Sequence, residues 1–322
     1  MKFAKLMMAA AVAAGTMFVV TGCGKSPEQE FQLGLAYSQG SDGREINFAE
    51  AVKHYQKAAN RGFVPAQYEL AVCYQKGQGV KKDPEEAVKW FKKAAENGYL
   101  YAQSKLGEIF SQGNGVKQNY EEAMKWYRKA ADQNDCDAIC AIGIFYDKGL
   151  GVSENSAEAA EWFKKAAEQG SAYANLMLGR YYLNGKGVKK DQDKATKYFE
   201  SAAKLGNTEA QVYMGLWSED QAKKTALRAH DAQQEFNKSG LTSDYKTWEF
   251  WRKCMERYYG DIFMYFKMAA EKGDPVGTRL LGDCYRDGTG VKKNLDEAVK
   301  LYRIAAEKGD ETARNNLKAL NK

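Results

Sequence analysis

The chain has 322 residues, with 48 lysines and arginines against 42 aspartates and glutamates, a formal charge of +6. Setting aside residues 1–22, which hold two lysines and no acids, leaves +4. So slight an excess is no evidence for nucleic-acid binding, which would show a concentrated basic face.

The first element in chain order is an export segment. Lys2 and Lys5 precede an almost wholly apolar run over 6–20, and Val20-Thr21-Gly22-Cys23 follows. Charge, apolar run and small residues predict a secretory signal at 1–22, with a core too short for a confident membrane span. Its ending resembles a bacterial lipobox. That resemblance implies acylation of Cys23 as the first mature residue and a lipid anchor that needs no spanning helix. With Gly24 next, the sorting rule of such lipoproteins implies the periplasmic face of the outer membrane. Residues 23–30 are expected to be a lipidated tether. The alternative is an ordinary cleaved signal with an incidental cysteine.

From 31 to 209 the sequence repeats itself about five times. Glycines close alanine-rich helix ends at Gly62, Gly98, Gly170 and Gly206, most steps being 36 residues, and again at Gly273 and Gly309. A Gly-x-Gly-Val phrase recurs at Gly77, Gly113, Gly149, Gly185 and Gly288. A period of this length predicts stacked repeats, in which no unit buries its apolar face alone.

Within one repeat, Ala66, Leu70, Ala71 and Tyr74 predict a first helix ending at Gly77. Asp83-Pro84-Glu85-Glu86 then predicts a second helix, with Asp83 as cap, Pro84 in the first turn and Glu86 closing a capping box. Asn47, Asn119, Asn155 and Asn294 repeat the phrase with a glutamate three residues on, whereas Asp191 keeps only the cap. Small residues (Ala51, Ala87, Ala123, Ala159, Ala195, Ala298) and rings (Tyr55, Phe91, Tyr127, Phe163, Phe199, Phe266, Tyr302) recur at fixed places, as interdigitating helices require. These rings are read as core.

Leu106-Gly107, Leu178-Gly179 and Leu281-Gly282 before a helix aromatic, the Gly-x-Gly-Val loop and the Ala-Ala-x-x-Gly ending together make the chain similar to the Sel1-like repeat family (SLR), relatives of the tetratricopeptide repeats. The likeness runs from about 30 to 320 apart from one irregular stretch. It implies an all-α fold, an α-α superhelix (solenoid) of antiparallel helix pairs wound right-handed, and an adaptor or scaffold role.

The irregular repeat occupies 210–276, where 67 residues separate Gly206 from Gly273. A polar helical extension is predicted over 219–238, with a break at Ser239-Gly240. Aromatic residues crowd this stretch, and Trp217, Tyr245, Trp248, Trp251, Tyr258 and Tyr259 are the candidate partner contacts, because tryptophan and tyrosine dominate interface hot spots. Packing of these rings on one another in an elongated hairpin is the competing expectation. The final repeat and cap fill 277–322. Loop lysines (Lys81, Lys82, Lys117, Lys189, Lys190, Lys292, Lys293) line one edge, either as solvated charges or as a seat for an anionic partner.

Chemistry of other kinds is thinly represented. His54 and His230 lie far apart with no cysteine or carboxylate at ligand spacing, so no metal is expected, and His54 is read as structural. The Gly-x-Gly pairs lack the Gly-Lys-Ser/Thr of a phosphate loop. Cys73 and Cys284 read as small apolar fillers; a local disulfide between Cys136 and Cys140 stays open, and the state of Cys254 is undecided. Some cysteine-rich relatives are linked to penicillin binding, but Ser201-x-x-Lys204 and Ser243-x-x-Lys246 lack the companion phrases of a serine acyl-enzyme. The expected function is a non-enzymatic, lipid-anchored scaffold for protein partners, with no cofactor or small-molecule substrate. Cell-wall or polysaccharide binding through the irregular segment is the alternative, and a penicillin-binding or β-lactamase-like enzyme a minor one.

Overall fold

A computed structural model describes residues 24–320. The signal segment and Cys23 lie outside the described residues. Among those described there are helices and loops but no strand. The chain divides into two compact units, one ending at Ala102 and the other beginning at Gln103.

The first unit contains α1 (Pro27–Gln39), α2 (Phe48–Asn60), α3 (Val64–Lys76), α4 (Pro84–Glu96) and the start of α5 (Leu100–Gln112). The first helix pair is antiparallel: the α2 cap N–H of Asn47 donates to Tyr37 O near the end of α1, and Arg61, just past the far end of α2, donates to Lys25 O just before α1. Tyr55, Leu70, Ala71 and Phe91 form the interior, each nearly inaccessible. Gly34 lies so close under the Tyr55 ring that a Cβ there would fall 2.5 Å from it. The two glycines of the loop phrase have different tasks. Gly77 closes α3 in the left-handed conformation (φ 72°). At Gly79 a Cβ would lie 2.2 Å from Phe48 O at the start of α2, so only glycine lets one repeat's loop rest on the preceding one.

In the second unit, the rest of α5 is followed by α6 (Tyr120–Ala131), α7 (Cys136–Lys148), α8 (Ser156–Glu168), α9 (Ala172–Asn184) and α10 (Gln192–Lys204). Then come α11 (Thr208–Ser239), α12 (Thr242–Glu271), α13 (Pro275–Asp287), α14 (Leu295–Glu307) and α15 (Glu311–Ala319). From α6 onward each helix packs on its neighbours in the sequence. The glycine-under-ring contact recurs at Gly143 with Phe163, Gly179 with Phe199, and Gly282 with Tyr302. The all-α class of stacked helix pairs expected from the repeat is the one observed.

Two expectations need correction, and one open question is answered. Residues 27–30 belong to the fold: Ser26 and Gln29 form a capping box that starts α1, and Glu30 is buried, so at most residues 24–26 can serve as a described tether. The predicted capping boxes of the repeats are only half made. Asn47, Asp83, Asn119 and Asn294 accept from the backbone N–H three residues on, but Glu50, Glu86, Glu122 and Glu297 turn outward to Lys53, Lys89, Lys125 and Lys300. A lysine one turn further on competes for the carboxylate. Cys136 and Cys140 are unbridged, as are Cys73, Cys254 and Cys284.

Candidate interaction surface

The irregular repeat is a lengthened helix hairpin. Its helices, α11 and α12, have 32 and 30 residues where the other paired helices have 12 or 13, and only Gly240-Leu241 joins them. The extra nineteen residues of α11 form a spur about 28 Å long at 1.5 Å per residue.

Ser218, Ala222, Thr225 and Ala229 are the buried residues along the α11 side of the spur. Their alternating steps of four and three are the 3.5-residue period of a coiled-coil seam. Rings of α12 pack against this seam at Ala222, where Tyr258, Tyr259, Phe263 and Phe266 gather, and others meet larger side chains of α11. Trp217 meets Tyr258 edge-on at 6.2 Å, Arg228 lies 4.9 Å over Trp251, and Phe236 meets Tyr245 at 5.5 Å. Tyr245 in turn touches Trp248, which Arg252 covers at 5.8 Å. Charges along the spur are neutralised within each helix, by Lys223 with Glu219, Lys224 with Asp220, Lys253 with Glu249 and Arg252 with Glu256.

The candidate aromatics therefore fall into two groups. Tyr258 and Tyr259 are half-buried at the base, packed with Ala222, Ile262, Phe266 and Cys284, and Trp217 joins them through Tyr258. Trp248 and Trp251 are half-buried in the distal seam, and Tyr245 is 41% exposed near the tip. Three apolar side chains that composition did not single out as contacts are more exposed: Leu227 (64%), Leu241 (58%) and Phe250 (57%). The signal for Leu227 is its helical phase, half a turn from the seam set by Ala222, Thr225 and Ala229.

Other sequence candidates have structural engagements. Ser201 Oγ donates to Lys197 O, and Lys204 pairs with Glu200. Ser243 Oγ faces Asp244 at the spur tip. No cluster of three or more potential metal ligands exists among the described residues. No described helix is long and apolar enough to cross a membrane. The loop lysines are exposed.

The Sel1 repeat family model matches residues 30–63, 64–99, 100–135, 136–171, 172–207, 263–274 and 275–310. Most of the spur hairpin, residues 208–262, lies between two matches. A crystal structure of a protective antigen present in uropathogenic Escherichia coli strains, displaying an SLR fold, is similar with a TM-score of 0.58 and 30% identity, over 90% of this chain and 71% of that one. A Sel1 repeat protein from Oxalobacter formigenes is similar with a TM-score of 0.57 and 37% identity, over 60% and 79% of the two chains. Among curated proteins, DAP3-binding cell death enhancer 1 of Rattus norvegicus is 46% identical over 56 residues, 17% of this chain and only 11% of that protein.

Proposed function

The chain belongs to the Sel1 repeat family, whose fold generally mediates protein–protein interaction, and we propose that it is a lipid-anchored adaptor of the bacterial envelope that captures a protein partner through its spur. The observation that carries this reading is the departure from the repeat: 208–262 interrupts the family pattern and displays Leu227, Leu241, Tyr245 and Phe250 on a self-neutralised helical hairpin. Apolar side chains of this size, gathered on a projecting element, are suited to become buried anchors in a partner's pocket. Anchoring rests on the sequence ending at Cys23, and the periplasmic face of the outer membrane is the proposed location.

Two experiments test the two halves. Photo-crosslinking in cells from position 227 or 250 is expected to give discrete protein adducts. Persistence of every co-purifying partner after replacing 220–257 by a short turn removes the spur from the account, and co-purified glycan without protein favours a polysaccharide ligand. Cys23→Ser is expected to move the protein from the membrane to the soluble fraction; unchanged fractionation rejects the anchor.

A further inference from the structure

In the first unit, two successive repeats place a ring where later repeats cap the first helix: Phe63 before α3 makes no side-chain cap hydrogen bond, and Tyr99 stands before α5. The residue before the first helix of a repeat is Asp135, Ser171, Asn207, Asp274 or Asp310 in the second unit, and each accepts a hydrogen bond from the backbone N–H three residues on. The same position before α5 is Tyr99, whose side chain has no acceptor suited to that task. Two residues on is Tyr101, 43% exposed. The rings of Tyr68, Tyr99 and Tyr101 are mutually inclined, with Tyr68 5.3 Å from Tyr99 and 6.4 Å from Tyr101, and Tyr99 5.7 Å from Tyr101. Phe91, fully buried, backs Tyr68 at 5.5 Å.

Beside this cluster stands Glu69. The corresponding positions of later repeats hold Lys105, Ala141, Met177, Tyr213 and Leu280, so the carboxylate belongs to this repeat alone. It is half-buried on α3, has no hydrogen bond or ion pair among the described residues, and its charge bears on Tyr99. Burial raises its pKa, with only partial relief from Lys76. An uncompensated, half-buried carboxylate runs against folding, and such departures concentrate at functional sites.

We propose that Glu69, Tyr99 and Tyr101 form a seat for one basic side chain, a lysine or arginine of a protein partner, stacked on the exposed Tyr101 ring and paired with the Glu69 carboxylate. A cation over tyrosine gains from the ring quadrupole, and the carboxylate gains the counter-charge that the folded chain withholds. A neutral sugar would stack on the rings but leave the charge uncompensated. The seat deepens the adaptor reading and rests on it only in taking the partner to be a protein; it is independent of the spur.

The test is fluorescence anisotropy of a dye-labelled hexa-arginine peptide with the purified full-length protein. Glu69→Gln and Tyr101→Ala are each expected to weaken binding at least tenfold, while Glu69→Gln leaves the melting temperature unchanged or higher, because it removes a desolvated charge. A structural role for Glu69 predicts the reverse, a lowered melting temperature with unchanged affinity. Unaltered affinity in Glu69→Gln, no peptide binding by the wild type, or Tyr101-dependent binding of chitotetraose in place of peptide overturns the seat. Spur crosslinks that persist in that event leave the adaptor reading standing; their absence as well ends both.

Discussion

Glu30 Oε2 lies 2.6 Å from His54 Nδ1, and this contact ties α1 to α2. The imidazole stacks on Tyr37 with centroids 5.6 Å apart, so it is held from both sides. The hydrogen bond from His54 keeps the Glu30 carboxyl below its ordinary value, against the opposing effect of burial. A depressed carboxyl contributes stability that is fully present above the unfolded-state pKa and is lost as pH falls through the folded value. Protection factors of the α1 amides are therefore expected to fall below about pH 4, while those of α3 hold. Flat α1 protection across that window rejects the assignment.

Removing one partner of this pair tests it without a change of pH. His54→Ala leaves a largely buried carboxylate unmatched, at a cost of about 1–3 kcal/mol. The double variant His54→Ala, Glu30→Ala removes both polar groups and is expected to regain part of that loss. A double-mutant cycle by urea unfolding measures the coupling, and additive effects refute it.

Glycine in a helix can be a weakness or a requirement, and α12 and α13 hold one of each. A Cβ at Gly260 meets nothing within 4 Å, so Gly260→Ala is expected to stabilise by about 0.5–1 kcal/mol through helix propensity. At Gly282 the same methyl would come within 2.7 Å of the Tyr302 ring. That ring cannot retreat: it is fully buried and its hydroxyl donates to Asp283 Oδ1 at 2.7 Å. Gly282→Ala is expected to cost about 1–3 kcal/mol. Chemical denaturation reads both, and shifts of the same sign contradict the packing argument.

Positions constrained by the backbone were legible in the sequence. Gly77 and Gly79, the alternation of Ala87 with Phe91, and the Asp83 cap each admit few residue types, so the period displays them directly. Side-chain choices among equals were not. Glu86 had the spacing of a capping box, yet Lys89 offers it a charge, and nothing local decides between them. On the spur, choosing contacts by residue type selected Tyr258 and Tyr259, which pack into the base, and passed over Leu227, whose exposure follows only from the phase of the Ser218, Ala222, Thr225 and Ala229 seam. Glu69 occurs in one repeat alone, so no periodicity marks it.

Thiol reactivity should follow burial. Burial pushes Cys73 and Cys140 up to about 11 and Cys284 to about 12, and raises Cys136 as well. Thiolate is the reactive form, so at pH 8 these side chains are both shielded and protonated. Iodoacetamide is expected to modify Cys254, half-exposed on α12, ahead of the others. Cys73, Cys140 and Cys284 should react only on denaturation. Native labelling of Cys284 as fast as Cys254, read by peptide mass spectrometry, contradicts the burial.

The last repeat leans on the spur at one glycine. Gly290 has φ 69°, and a Cβ there would fall 2.1 Å from Tyr259 O and 2.9 Å from Phe263 Cβ on α12. In regular repeats the same glycine rests on the first turn of the preceding second helix, as Gly187 does on Ser156. In the irregular repeat it rests partway along α12, where an uninterrupted helix gives the carbonyl no room to turn aside. Gly290→Ala combines a left-handed backbone, unfavourable for alanine, with a clash against main chain, and about 2–4 kcal/mol is expected. Because stability in a repeat array is close to a sum of unit and interface terms, the loss should concentrate at the contact of α12 with α13 and α14. A two-step melt is expected, with α13–α15 separating first, and hydrogen exchange across 275–319 identifies the early step. A single transition shifted by less than half a kcal/mol rules out a rigid contact at Gly290.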